Sequence, residues 1–315
     1  MTTEPFHIIP YTEAYKDSVE QLEKSIVQGR AVQLEMIKQH YLDRAKVYDT
    51  YYSCLAVTED HEVMGAATGA RTYLIINDEK FPAGIVFDIK VRPDMQRQGI
   101  GQLMSRDIFR QFFQPQGLVK NFITAKLSNI QAYLLARRVA SSVWRYGFVY
   151  LTIPTSRRIL EPVQDTRAVQ DFRVHLFDKH LLPEEYYKEF ASGLGYFNTS
   201  RMYTLRIRKI SWWVKASLVL LRLVRGERYL QLPAEQEEIS FATLYRHSPQ
   251  NIGSLDEVLE DLEVKGIRQL MVCCRKNDPV YMALRKISMY AYHYSLLTDF
   301  KVDQADTVGI DVRCL

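Results

Sequence analysis

The segment that most constrains the fold is a strand that runs into a glycine-containing loop and then into a helix. The run GIVFDIKV (84–91) is rich in β-branched residues and ends just before Pro93, which cannot extend a strand ladder. The loop sequence QRQGIG (96–101) follows, and apolar residues then recur every three to four positions as far as Phe113. Pro115 lies beyond them, so the helix is expected to end before it.

The flanking sequence predicts a mixed α/β (α+β) domain over residues 1–155. Helical spacing between residues 11 and 47 predicts two amphipathic helices separated at Gly29. Apolar runs on both sides of the polar turn TEDHE predict a hairpin. This hairpin is predicted over 51–57 and 63–76. The further predicted elements are a strand over 119–127, a helix over 129–146 and a strand over 147–153. This order is typical of a sheet with crossover helices.

The length of 315 residues, at roughly 150 residues per domain, predicts a second domain over 156–315, with the boundary near 154–161. Its last part again predicts a helix, a strand, a helix and two strands, at 253–266, 267–276, 278–288, 292–300 and 308–315. This order repeats the end of the first half without the Gly-x-Gly loop. We therefore expect a degenerate, non-catalytic copy of the first domain.

The basic charge is concentrated around the loop. Residues 92–158 contain 11 Lys and Arg against 2 Asp and Glu, whereas the whole chain has a net charge of only +4. Such an excess attracts a polyanion, either nucleic acid or a phosphorylated cofactor. Because a phosphate-binding loop lies in the same segment, we expect the cofactor and no nucleic-acid partner.

The loop has the chemistry of an anion site. Glycines at 99 and 101 let the backbone approach a ligand, and the free N–H groups of the first helical turn point towards it. Arg97 adds a side-chain cation. A dinucleotide-binding loop is not supported, because Met104 stands where a third small residue is required, and a triphosphate loop is excluded because no Gly-Lys-Ser/Thr follows.

The run Val-x-Pro-x-x-Gln-Arg-x-Gly-Ile-Gly at 91–101 resembles motif A of the GCN5-related N-acetyltransferases (GNAT). The resemblance covers about residues 7–155 and implies a mixed central sheet flanked by helices, with acetyl-CoA as acyl donor. It places the cofactor arm in a gap between two splayed strands, and the pyrophosphate on the loop. The cofactor-binding residues that it implies are Ile89, Val91, Gln96, Arg97, Gln98, Gly99, Ile100, Gly101 and Asn129, the last at the start of the following helix.

The resemblance implies direct acyl transfer to a primary amine, with no metal and no covalent enzyme intermediate. Asp88, on the strand that leads to the loop, is the best-placed carboxylate for a base or a water relay, although such residues also form caps and ion pairs. The family's tyrosine acid falls on Val143 or Ala136 in this chain, depending on the direction of counting. Tyr133, one turn before Ala136, is the substitute candidate, and an ordinary tyrosine is its alternative.

The acceptor remains open between a small molecule and a protein amine, as does the oligomeric state. A rival hypothesis is a non-catalytic acyl-CoA-binding or regulatory module. A two-part chain with the glycine loop only in its first half also resembles, more loosely, plant Hookless-type probable N-acetyltransferases. Thiol release with a panel of amines would separate an enzyme from a binding module.

Location is predicted from what the sequence lacks. The first 24 residues have no basic segment followed by an apolar stretch, and the four cysteines form no CxxC pair, so we expect a cytoplasmic protein. The apolar segment 210–226 is interrupted by Lys215 and Arg222, so no transmembrane span is expected. Packing against a core is the expectation for this segment, and contact with a membrane surface is the alternative.

Overall fold

The computed structural model describes residues 6–26, 29, 31–159, 170–225 and 234–315. Within these residues, thirteen strands form one mixed sheet and three form a small antiparallel sheet. In chain order the strands are β1 (Phe6–Pro10), β2 (Val32–Ile37), β3 (Tyr51–Thr58), β4 (Val63–Ile76), β5 (Glu79–Val91), β6 (Asn121–Lys126), β7 (Trp144–Pro154), β8 (Phe172–His175), β9 (Tyr187–Glu189), β10 (Gly195–Phe197), β11 (Thr204–Ile210), β12 (Glu238–Ile239), β13 (Phe241–Tyr245), β14 (Gln269–Cys274), β15 (Tyr290–Thr298) and β16 (Val308–Asp311). The helices are α1 (Lys16–Ser25), α2 (Ile100–Ile108), α3 (Ile130–Val139), α4 (Trp212–Arg225), α5 (Leu255–Val264) and α6 (Pro279–Leu284).

The main sheet passes through both halves of the chain without a break. Its order is β1-β3-β4-β5-β6-β15-β7-β14-β13-β10-β9, and β16 joins it by pairing with β4 and β8. Strand β15 therefore lies between β6 and β7, and β7 lies between β15 and β14. Each half thus contributes one strand to the middle of the other half's sheet.

Three apolar clusters cover the faces of this sheet. One cluster contains residues of both halves, from Leu55 and Phe87 to Tyr245 and Cys273, and includes the buried face of α1. A second lies under α2, and a third lies under α5 and α6. The apolar core therefore runs through both halves on one side of the sheet. On the other side it is divided into two separate clusters.

The predicted hairpin, the strand before the loop and the helix after it are confirmed as β3, β4, β5 and α2. The helix continues through Phe109–Phe113 as one π-helical turn. The second helix predicted before residue 47 is wrong, because Val32–Ile37 forms a strand that pairs with β11. Apolar residues at three- to four-residue intervals over so short a run fit either structure, and a partner 170 positions away decides.

The predicted helix 129–146 is too long. Helix α3 ends at Val139, and β7 begins at Trp144. Strand β7 starts early because it pairs along its whole length with β15, from Trp144 opposite Thr298 to Thr152 opposite Tyr290. The end of the predicted boundary, at 160–161, lies outside the described residues.

The described side chains of helix α4 do not join the apolar clusters of the main sheet, whereas the sequence predicts packing against a core. Val214 contacts the small cluster of Ile207, Ile210 and Ile239. The side chains of Trp212 and Leu220 are 80% and 63% exposed. Among the described residues, no helix combines the length and the apolar character needed to cross a membrane.

Candidate functional site

Strands β5 and β6 pair only at one end. Their parallel ladder is restricted to Gly84 opposite Asn121 and Ile85 opposite Phe122. Six further residues of β5 and four of β6 continue beyond this point without pairing to each other. The two strands therefore leave a gap in the middle of the sheet that opens towards the loop.

An apolar cleft of about 430 Å³, open at its mouth, lies at this gap. Its walls come from β5, β6, α2, α3 and β15. The polar groups in the wall are few, and Ser105, Asn121 and Asp299 are among them. The apolar lining includes Val86, Ile89, Phe109, Ile123, Leu135, Val139 and Leu297. Such a surface suits an uncharged, flexible chain with few hydrogen-bonding groups.

The loop before α2 ends in an unusual backbone conformation. Arg97 and Gly99 have φ angles of 68° and 86°, in the left-handed region, and Gly99 is the residue that precedes the helix. The Gln96 side-chain amide donates to the Val91 carbonyl at 3.3 Å, which ties the loop to the end of β5. Gln96, Arg97 and Gln98 are exposed.

The N-terminus of α2 is free to attract an anion. The first turn of this helix contains no acidic residue. Its N–H groups have no helical acceptor, and the helix dipole gives this end a partial positive charge. Among the described residues, no heavy atom lies within 4 Å of the place where a Cβ of Gly99 would stand. An anion can therefore approach the backbone here.

Gly101 connects the loop with the cleft. A Cβ at this position would lie 3.6 Å from Ile89 Cγ2 and 3.7 Å from Leu135 Cδ2, both of which belong to cleft-lining residues. The missing side chain of Gly101 therefore faces the mouth of the cleft. A ligand could pass from the helix N-terminus into the gap between the strands.

Asn129 and Tyr133 belong to the start of α3, the helix whose later residues line the other wall. The Asn129 side-chain oxygen accepts from the Ala132 N–H at 3.1 Å, so this residue caps α3. Tyr133 is half-buried, and the Arg137 guanidinium lies 6.0 Å from its ring centre. Its side chain is not part of the cleft wall.

Asp88 faces away from the cleft. It has a φ of 52° and stands with Ile89 opposite the single residue Ala67, which makes a bulge in β5. Its carboxylate accepts from Lys38 Nζ at 2.6 Å and from Arg44 Nη1 at 3.2 Å.

Burial alone would raise the pKa of Asp88, but the charges of Lys38, Arg44 and Lys90 outweigh it and hold that pKa well below its usual range. A carboxylate so firmly ionised accepts protons poorly. This environment opposes the role of base that the sequence suggests and favours the ion-pair alternative.

The sequence does not indicate the role of two groups of residues at the site. Lys38 and Arg44, the partners of Asp88, belong to the segment assigned to a helix. Leu297, Thr298 and Asp299 close one wall of the cleft from a strand about 170 positions after β6. No local pattern marks either group, because their role arises from strand pairing across the chain.

Comparison with known proteins identifies the fold. Residues 18–140 match the model of the acetyltransferase (GNAT) family. Among solved structures, N-myristoyltransferase from Saccharomyces cerevisiae with bound myristoyl-CoA and inhibitors is 7% identical, with a TM-score of 0.59 over 96% of this chain and 82% of that chain. A GCN5-related glucosamine N-acetyltransferase region of a fungal multi-domain GH3 beta-N-acetylglucosaminidase is 12% identical, with a TM-score of 0.53 over 95% of this chain and 38% of that chain.

No curated protein matches the sequence. At these identities the structural likenesses establish the fold alone. The mixed sheet flanked by helices is the GNAT fold, as the sequence predicts, and residues 18–140 contain a GNAT family domain. The looser Hookless-type resemblance stays a prediction.

Proposed function

We propose that this chain transfers an acyl group from acyl-CoA to an amine by direct attack on the thioester. The observation that carries the proposal is the continuous path from the free N-terminus of α2 into the gap between β5 and β6. A ligand that fits must have an anionic end and a long, mostly uncharged arm. Acyl-CoA has both, since its pyrophosphate joins a nucleotide to the pantetheine arm.

The cofactor would lie with its pyrophosphate on residues 96–101 and its arm along β5. Gly99 and Gly101 would give the backbone N–H groups access to the phosphates, and Arg97 would add a cation. Ile89 lies in the cleft wall, where the arm would pass, and Val91 stands at the loop end of β5. Asn129, whose side-chain oxygen caps α3, is the cofactor-binding residue that we propose at the start of this helix.

The reaction needs a neutral amine, whose nitrogen attacks the thioester carbon. The carbon–sulfur bond then breaks, the amine nitrogen loses a proton to solvent water, and the CoA thiolate gains a proton. We propose Tyr133 as the donor of the proton that the thiolate gains, since it is carried by the helix that borders the cleft. Asp88 acts as a positioning residue, because its ion pairs with Lys38 and Arg44 fix the bulge beside Ile89.

The acyl donor is proposed to be acetyl-CoA. The yeast N-myristoyltransferase with a similar fold carries myristoyl-CoA, so a donor with a longer acyl chain is the alternative. Thiol release with acyl-CoA donors of increasing length, each with a panel of small amines and peptides, measures this preference. Release of CoA that depends on the amine would support the proposal.

The position of Asp88 also favours the second hypothesis, a non-catalytic acyl-CoA-binding module, since the carboxylate that the sequence suggests as a base is engaged in ion pairs. Such a module would bind CoA in calorimetric titration and release no thiol with any amine. A chain that binds no CoA would contradict both hypotheses.

The role of Tyr133 has a specific test. Tyr133→Phe should lower kcat on the order of tenfold or more and leave the affinity for acetyl-CoA unchanged, because the hydroxyl acts only in the transition state. Tyr281→Phe, on the half-buried face of α6, is the matched control and should retain full turnover. An unchanged kcat in Tyr133→Phe would leave this residue with a structural role.

A further inference from the structure

Helix α4 carries an exposed apolar face. Trp212, Ala216, Val219 and Leu220 follow the i, i+4, i+7, i+8 spacing of one helical stripe, and Trp213 stands next to it. Trp212, Trp213, Val219 and Leu220 are 80%, 51%, 57% and 63% exposed. These four side chains, which we call the tryptophan face, lie outside every apolar cluster in the described part of the chain.

The helix is held at its first turn. Val214 packs on Ile207, Ile210 and Ile239 of the small sheet. Lys215 pairs with Glu235 at 2.9 Å. These contacts fix the start of the helix and leave the tryptophan face pointing away from the protein.

The chain segment that contains β11 and α4 is basic in sequence. Residues 190–226 contain seven Lys and Arg and no Asp or Glu. Two of these cations are paired within the small-sheet region, Arg206 with Glu238 and Lys215 with Glu235. Arg208 and Lys209, which directly precede α4 on β11, are exposed. An exposed apolar face therefore stands beside exposed positive charge.

We propose that α4 lies on the surface of an anionic lipid bilayer, with the tryptophan face inserted at the headgroup level. Tryptophan is enriched at this level because its ring is apolar and its N–H can still be hydrated. Basic residues beside an apolar helical face add attraction to anionic lipid. A protein partner on the same face could be bound with acidic residues nearby. The absence of acidic residues from this long segment therefore favours anionic lipid.

The proposal goes beyond acyl transfer and does not depend on it. Docking by α4 would bring the chain to a membrane without any crossing segment. It would limit the acceptors that the protein meets to molecules at or near that surface.

Flotation of the full chain with vesicles tests the proposal. The protein should bind vesicles of phosphatidylcholine and phosphatidylserine, and should bind vesicles of phosphatidylcholine alone more weakly. Trp212→Ser with Trp213→Ser should reduce binding on the order of tenfold or more. Arg208→Gln with Lys209→Gln should reduce it about fivefold for each charge removed, and added salt should have a similar effect.

Val264→Ser is the matched control, since Val264 on α5 is 89% exposed and lies on another helix. It should bind vesicles as the wild type does. Unchanged circular dichroism and an unchanged urea unfolding midpoint in all the variants would show that their fold is intact. Failure to bind anionic vesicles, or equal binding by the double tryptophan variant, would overturn the proposal. So would a dimer in light scattering that the tryptophan substitutions dissociate, because the occupant would then be a second copy.

Discussion

In one part of each half of the chain the strands and helices follow the same order, but the two halves differ in the loop and the helix end that follow the first of these strands. In the first half β5, α2, β6 and α3 follow each other, and in the second half β13, α5, β14 and α6 do the same. Both pairs of strands are parallel and separate after a short ladder, at Ile85 and Phe122 in the first half and at Thr243 and Met271 in the second. The cleft described above opens where the two strands of the first half separate.

The second half fills the equivalent space with its own side chains. His247 is buried, and its Nε2 lies 2.9 Å from the Cys273 carbonyl, to which it must donate. Burial lowers the pKa of His247 to about 4, so this side chain is neutral. Asn251 closes the loop, since its side chain accepts from the Ser248 N–H and donates to the Arg246 carbonyl.

The helix ends differ in charge. Helix α5 has Asp256 and Glu257 in its first turn, and the Asp256 carboxylate accepts from the Ile159 N–H at 3.0 Å. Carboxylates at this position already satisfy the helix dipole and repel an anion. The two helix ends thus differ in the charge that they present to an anion, although the order of elements around them is the same. We therefore propose that the halves arose by duplication and that the second binds no CoA.

The largest effect is expected from separating the halves. Residues 1–155 alone lack β15, which lies between β6 and β7 in the full chain. The fragment would expose two unpaired strand edges and part of its core, so we expect no cooperative unfolding transition in urea. Co-expression with residues 156–315 should restore it. A fragment 1–155 that unfolds cooperatively by itself would show that the exchanged strands are dispensable.

The next largest effect is expected at the loop glycines, whose substitution should weaken CoA binding in the first half only. Gly101→Val should weaken CoA binding on the order of 100-fold, because two hydrogen bonds to charged phosphates contribute roughly 3 kcal/mol. Gly253→Val, in the corresponding loop, should leave CoA affinity unchanged. Gly101 is preferred to Gly99 because its Cβ would make only ordinary contacts, whereas Gly99 has a positive φ. Calorimetric titration measures both, and equal affinities would remove the main support for the cofactor site.

The helix caps should differ in their response to pH. Asn129 caps α3, and Asp278 caps α6 through one oxygen, while its other oxygen has no hydrogen-bond partner among the described residues. Burial raises the pKa of Asp278 to about 7. Between about pH 4 and pH 7 the folded state therefore holds a proton that the unfolded state has already released. The free energy of unfolding falls as the pH rises through this range.

Asp278→Asn keeps the cap and removes the titration. Between about pH 5 and pH 8 the wild type should lose roughly 2 kcal/mol of unfolding free energy that the variant retains. Urea unfolding at both pH values measures the difference. Equal losses of unfolding free energy in the wild type and in Asp278→Asn would mean that Asp278 is ionised in the folded state at both pH values.

The smallest effect is expected at the two loop arginines with left-handed backbone, Arg97 and Arg246. Arg97→Ala should weaken CoA binding about threefold to tenfold, since one exposed cation supplies only part of the attraction. Arg246→Ala should not change it, because Arg246 pairs with Glu189 at 3.1 Å in the second half. Equal losses in both variants would point to a long-range charge effect instead of a local site.

Local sequence predicted much of the first half. The β-branched run before Pro93, the glycines at 99 and 101 and the apolar spacing that follows lead directly to β5, the loop and α2. These elements follow from interactions within a few residues: a proline that ends pairing, a backbone that needs positive φ, and an amphipathic helix. In the second half only the last part was legible, where α5, β14, α6, β15 and β16 follow the predicted order.

Tertiary structure alone decided the rest. The strand at Val32–Ile37 exists because β11 pairs with it, and the cleft wall is complete because β15 enters between β6 and β7. Asp88 is an ion-paired residue because Lys38 and Arg44 are folded against it. Strand pairing and charge pairing join residues far apart in sequence, and their energy depends on contacts that no local pattern records. The sequence by itself determined the glycine loop and the helix that follows it, whereas pairing across the chain determined what surrounds them.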